Sequence, residues 1–155
     1  MDLVLWRHAD AEVGTPDLGR ALTHKGHKQA RRVAAWLHRH LPDSARVLVS
    51  PARRARETAQ ALAELSGHPL HELNAIAPGA SVADLLAAVG WPGDDSTVVV
   101  VGHQPTLGEV AGHLLTGRAS EFSIKKGAVW WLAGRRHQDA ASEVVLRAVI
   151  SPDLM

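Results

Sequence analysis

The chain has 155 residues, a 46% apolar fraction, a formal net charge of +1 and no cysteine. Those values fit one globular domain over residues 1–155 with a sizeable core. They exclude a disulfide scaffold and thiolate chemistry, and they give no reason to expect a nucleic-acid partner. No apolar run is long enough for a membrane span, and the first residues do not read as a signal peptide, so a cytoplasmic protein is expected.

The first element is Leu3 to Trp6, an apolar run without in-out alternation, as expected of a parallel strand covered on both faces. It breaks abruptly into Arg7 and His8. Residues 23–41 carry Ala30, Val33, Ala34, Leu37 and Leu41 at helical spacing, with Thr23 as N-cap. Val47 to Val49 reads as a second buried strand. A helix over 51–66 should follow, capped by Ser50 with Pro51 in its first position. Ser81 should cap a short helix running to Val89 and closed by Gly90. Val98 to Val101 is the third buried strand, and Pro105 to Leu115 the fourth helix, closed by Gly117. The tail segments "GAVWWLAGRR" and "SEVVLRAVISP" read as two strands joined by a polar turn at one edge of the sheet. Strands alternating with helices predict a three-layer α/β/α sandwich around a mostly parallel sheet.

In such a sheet the strand C-termini share one edge, and ligand sites form there. Arg7-His8 follows the first strand, "SPARRARET" the second, and Gly102-His103 the third. Two histidines and several arginines therefore converge on one rim. At about 100° per residue, the second helix has an apolar face of Ala55, Thr58, Ala59, Leu62 and Leu65, with Arg54 roughly 60° from its centre. Arg53 and Arg56 lie about 140° or more away and are expected in solvent. Guanidinium forks match phosphate oxygens, and a neutral imidazole can attack phosphorus. The four residues Arg7, His8, Arg54 and His103 thus point to phosphoryl chemistry.

These motifs resemble the histidine phosphatase superfamily, also called phosphoglycerate mutase-like, whose mark is Arg-His-Gly after the first strand. Here it reads Arg7-His8-Ala9, while "SPARRARET" matches the family's Ser-Pro-x-x-Arg-Ala-x-x-Thr segment and selects Arg54. Gly102-His103 matches the second histidine, and "RHADAE", "ALTHKG" and "VGHQPTLG" are most similar to the SixA-type phosphohistidine phosphatases. The resemblance implies a phosphoglycerate mutase-like fold, His8 as nucleophile, and Arg7, Arg54 and His103 as phosphate-binding residues. It implies no metal and no cofactor.

Members that cleave phosphate esters carry a glutamate proton donor, within Leu-x-Glu-x-x-x-Gly, after the second helix. Here "LNAIAPG" puts Ala75 at that position, and Gln104 stands where other branches place an acid. A phosphoramidate needs less help, because its leaving nitrogen can take a proton from solvent. The expected substrate is therefore a protein carrying phosphohistidine. The alternatives are a small phosphorylated molecule, cleaved by a general phosphomonoesterase or mutase-like enzyme, and a non-catalytic phosphate-binding module. Asp10 and Glu12 are the loop candidates for an acid, and Arg20 either reaches the pocket or binds Asp17. The pairs His24/His27 and His68/His71 lack a third ligand and read as surface histidines. Arg31-Arg32 and Arg135-Arg136 read as solvated, and of Trp130 and Trp131 one should be core and the other exposed or at an interface.

Overall fold

The computed structural model describes residues 1–137 and 140–155. Residues 138–139, within the expected polar turn, and the side chains of 136–142 lie outside the described residues, and with them the expectation for Arg136. In chain order the elements are β1 (Asp2–Arg7), α1 (His24–His40), β2 (Arg46–Val49), α2 (Arg53–Ser66) and β3 (Leu70–Glu72). They continue with α3 (Val82–Val89), β4 (Thr97–Gly102), α4 (Thr106–Thr116), β5 (Val129–His137) and β6 (Ala140–Ile150). All six strands form one sheet in the order β3-β2-β4-β1-β5-β6. The first four are mutually parallel, whereas β5 runs antiparallel to β1 and β6 to β5.

The pleat divides each strand between two cores. Val4 and Trp6 join Val47, Val49, Val99 and Val101 on the face covered by Val33, Ala34 and Leu37 of α1 and Ala55, Ala59 and Leu62 of α2. Leu3 and Leu5 join Leu48, Val98 and Val100 on the other face, under Leu85 and Val89 of α3 and Leu107, Val110 and Ala111 of α4. This is the three-layer α/β/α sandwich expected. Continuous apolar strands follow from burial on both faces, and each fully buried Leu or Val contributes about 1.5–3 kcal/mol.

Local signals explain most boundaries. Thr23 Oγ1 accepts the Gly26 N–H at 2.9 Å, and Ser81 and Asp84 form a reciprocal capping box at the start of α3. Gly67, Gly90 and Gly117 end α2, α3 and α4 in the left-handed conformation. Gly26 is needed for another reason: a Cβ there would sit 2.0 Å from the Asp10 carbonyl oxygen. Only glycine lets the first turn of α1 close onto the loop that follows His8.

Several expectations need correction. The second helix begins at Arg53 with Ala52 at its N-cap and no side-chain cap, so Ser50 is not a capping residue. Its hydroxyl is engaged elsewhere, as described below. The edge strand β3 was not expected: three residues are too few to show a period. Leu65, assigned to the apolar face of α2, is 50% exposed in the last turn. His68 is buried, its Nδ1 bonded to Ser66 Oγ and its Nε2 to the Pro42 carbonyl, and is not a surface residue. Trp131 lies in the α1/α2 core, and Trp130 packs half-buried on the opposite face, 5.3 Å from Phe122. No helix among the described residues is long and apolar enough to cross a membrane.

Candidate active site

Strand register brings the polar residues together. Across the parallel pair β1/β4, Arg7 lies opposite Gly102, so His8 and His103 emerge side by side. Across β2/β4, Val49 lies opposite Val101, which sets Ser50 level with Gly102, directly before His103. The His8 and His103 rings are 5.2 Å apart, centre to centre. Arg7, His8, Arg54 and His103 line one cavity of about 210 Å³, together with Ala11, Pro78, Gln104 and the more exposed Arg20 and Lys126.

Each arginine is held by one part of its guanidinium and leaves another unused. Arg7 donates from Nη1 to the Ile124 carbonyl at 2.7 Å, and its buried Nε has no partner among the described residues. Arg54, only 4% exposed, donates from Nη1 to the Asp17 carbonyl and from Nη2 to the Asp17 carboxylate, at 2.9 and 3.2 Å. Its Nε is likewise buried and unpartnered. Two fixed cations lining one cavity, each with an N–H donor left unpartnered among the described residues, suit an oxyanion. As expected, Arg53 and Arg56 are exposed. Thr58 Oγ1 donates to the Arg54 carbonyl and accepts from Ala9 N, tying α2 to the loop after His8.

The His8 ring bonds through Nδ1 to the Ala9 carbonyl at 2.8 Å. A carbonyl only accepts, so Nδ1 carries the proton and Nε2 keeps its lone pair. Burial, with the Arg54, Arg7 and Arg20 charges, pushes the His8 pKa down to about 4, against the raising influence of the Ala9 bond. Burial, His8, Arg54 and Arg7 push His103 down to about 3, with Asp17 working the other way. Both rings are neutral at pH 7.

That has a consequence for stability. Both histidines have folded pKa values below the ordinary 6.5, so between those values the unfolded chain binds more protons than the folded one. Stability contributed by the neutral rings is present above pH 6.5 and is lost as pH falls toward 4 and then 3. The carboxyls of Asp10 and Asp17, lowered from 3.8, add their own loss only below that value, where just the tail of the His103 window overlaps. The urea midpoint should therefore fall steadily as pH drops from 6.5 to 4; a flat midpoint over that range would contradict the buried neutral pair.

The loop candidates resolve differently. Asp10 accepts from Thr23 Oγ1 at 2.8 Å and Lys126 Nζ at 3.1 Å. The Thr23 bond first, and then Lys126, outweigh burial and hold its carboxyl below the ordinary value, so Asp10 is a poor proton donor at neutral pH. Glu12 is exposed and lies outside the cavity lining. Arg20 does both things considered for it: it lines the cavity and pairs through Nε with Asp17 Oδ1 at 3.1 Å. Ala75 is exposed, and Gln104 is spent on the Phe122 carbonyl and the Gly108 N–H. No cluster of three metal-ligating side chains occurs among the described residues.

Sequence reasoning missed three parts. Ser50 Oγ lies 2.7 Å from His103 Nε2, and the available signal was its place directly after a buried strand, like His8. The 124–127 loop holds Arg7 through the Ile124 carbonyl, and Gly127 N donates to the Arg7 and His8 carbonyls. Asp17 was considered only as a partner for Arg20, yet it also anchors Arg54.

The topology, with paired histidines at adjacent strand ends, defines a phosphoglycerate mutase-like α/β fold. It superposes on the protein histidine phosphatase SixA complexed with tungstate with a TM-score of 0.81, over 99% of each chain at 23% identity. The sequence profile described as histidine phosphatase superfamily (branch 1) matches residues 3–77. An uncharacterised protein of Picosynechococcus sp. is 36% identical over 137 residues, 83% of this chain and 82% of its own. The phosphohistidine phosphatase SixA of Escherichia coli (strain K12) is 32% identical over 123 residues, 76% of each chain. The chain belongs to the histidine phosphatase superfamily.

Proposed function

We propose that this chain is a metal-independent phosphatase that removes the phosphoryl group from phosphohistidine in a protein, through a phosphohistidine intermediate on His8. The observation that carries the reading is the neutral His8 ring, its Nε2 lone pair free among the described residues, beside two arginines whose buried Nε donors have no partner among them. Nε2 attacks phosphorus and the phosphorus–nitrogen bond to the substrate imidazole breaks, that nitrogen taking a proton from water. Water then attacks phospho-His8, releasing inorganic phosphate and restoring the ring. Arg7, Arg54 and His103 bind the phosphoryl oxygens and stabilise the charge they carry in the transition state, the task magnesium performs in many phosphoryl-transfer enzymes.

The leaving group decides the substrate class. An alkoxide needs a general acid, and Ala75, the engaged Gln104 and the ionised Asp10 supply none. The name of the Escherichia coli relative points the same way. The test compares turnover of a phosphohistidine protein, a small phosphoramidate and an alkyl phosphate, each with and without excess EDTA. The nitrogen-linked substrates should be hydrolysed much faster than the ester, and EDTA should leave every rate unchanged. Faster hydrolysis of the alkyl phosphate would overturn the substrate class. Loss of activity on chelation, restored by magnesium or zinc, would overturn metal independence.

A further inference from the structure

Ser50 is fully buried at the end of β2, and among the described residues its hydroxyl has two hydrogen-bond partners. Its Oγ accepts the Ala52 N–H at 3.2 Å and lies 2.7 Å from His103 Nε2. A hydroxyl has one proton to give and two lone pairs. Ala52 occupies one lone pair, so the direction of the His103 contact decides where the Ser50 proton goes. If His103 donated from Nε2, the Ser50 proton would have no acceptor among the described residues, and His103 Nδ1 would be a buried lone pair with no donor. If Ser50 donates, both its proton and Nε2 are satisfied and only the Nδ1–H remains without a partner. One unsatisfied buried group costs less than two.

We infer that Ser50 is a positioning residue whose hydroxyl donates to Nε2 and holds His103 in the Nδ1–H tautomer, so that a neutral ring presents a hydrogen-bond donor to the phosphoryl group. What the Nδ1–H meets rests on the phosphatase reading; the tautomer does not. The ring lines the same cavity as His8, Arg7 and Arg54, and Ser50 is itself held by backbone pairing, since its N donates to the Val101 carbonyl at 3.1 Å. In the opposite tautomer Nδ1 would turn a lone pair toward any oxyanion it met, which repels. Ser50 thus selects between a stabilising and a repelling ring without touching the substrate.

Nitrogen-15 NMR of histidine-labelled full-length protein at neutral pH reads the tautomer directly, with His103 assigned by its loss in His103→Gln. A protonated, pyrrole-type Nδ1 and a pyridine-type Nε2 are expected. Ser50→Ala should shift the ring toward the Nε2–H form. It should also lower kcat by ~10-fold or more, short of the ~100-fold that losing an oxyanion donor itself costs. KM should change less than kcat, and Ser50→Thr, which keeps the hydroxyl, should recover tautomer and rate together. A pyrrole-type Nε2 in the unaltered protein would overturn the inference, as would a Ser50→Ala variant with tautomer and kcat unchanged. If Ser50→Ala does not fold, the spectrum of the unaltered protein decides alone. An Nδ1–H ring in a protein that hydrolyses none of the three substrates would support the tautomer and count against the phosphatase reading.

Discussion

His8→Ala will remove turnover of phosphohistidine, by on the order of 10⁴-fold or more, because it deletes the atom that forms the covalent bond. The fold should survive. Among the described residues the His8 side chain makes one hydrogen bond, to the Ala9 carbonyl, and the strand that precedes it is held by its own pairing with β4 and β5. Acid sensitivity should decrease in this variant, since one buried ring that must charge on unfolding is gone. His103→Ala should behave differently, slowing the reaction by about 10²–10³-fold while leaving the attachment site in place. Single-turnover kinetics on each variant, with circular dichroism as the control for folding, check the pair. Normal turnover in His8→Ala would remove covalent catalysis at this residue.

Arg54→Ala will cost about 10²–10³-fold in kcat/KM and will weaken product inhibition by inorganic phosphate. The loss should exceed that of Arg20→Ala. Arg54 is almost fully buried and its Nε has no partner among the described residues, whereas the Arg20 side chain is 26% exposed and its Nε is already bound to Asp17. Arg54 also anchors the loop after His8 through both the carbonyl and the carboxylate of Asp17. Lysine cannot reproduce that fork and still present a second donor to an oxyanion, so Arg54→Lys should stay close to Arg54→Ala. Near-normal activity in Arg54→Lys would mean that charge alone matters and that the planar fork does not.

Much of this arrangement is legible in the chain because two independent patterns, continuous apolar runs and helical spacing, agree. Continuous apolar runs mark β1, β2 and β4 as strands buried on both faces, and polar residues directly after each run must meet at one edge of a parallel sheet. Helical geometry then separates Arg54 from Arg53 and Arg56 without any coordinates. Ser50 was misread because Ser-Pro before a helix is also a capping signature, and spacing cannot tell which partner a hydroxyl will choose. The capping choice lost to His103, which parallel register brings within 2.7 Å. Carbonyl contacts such as Ile124 to Arg7 carry no side-chain signal at all. β3 was missed because a three-residue edge strand, open to solvent, needs no apolar period. His68 looked like a surface histidine because nothing in its neighbours in sequence foretells the Pro42 carbonyl, 26 residues away.

The central claim is a phosphoryl group carried transiently on His8. Brief incubation with a labelled phosphoramidate, followed by an alkaline quench and peptide mass analysis, tests it most directly. The account predicts one phosphoryl group per chain, located on His8, labile to acid and stable to base as a phosphorus–nitrogen bond requires, and absent from His8→Ala. Label on another residue, or full turnover with no label trapped at any time, would contradict it.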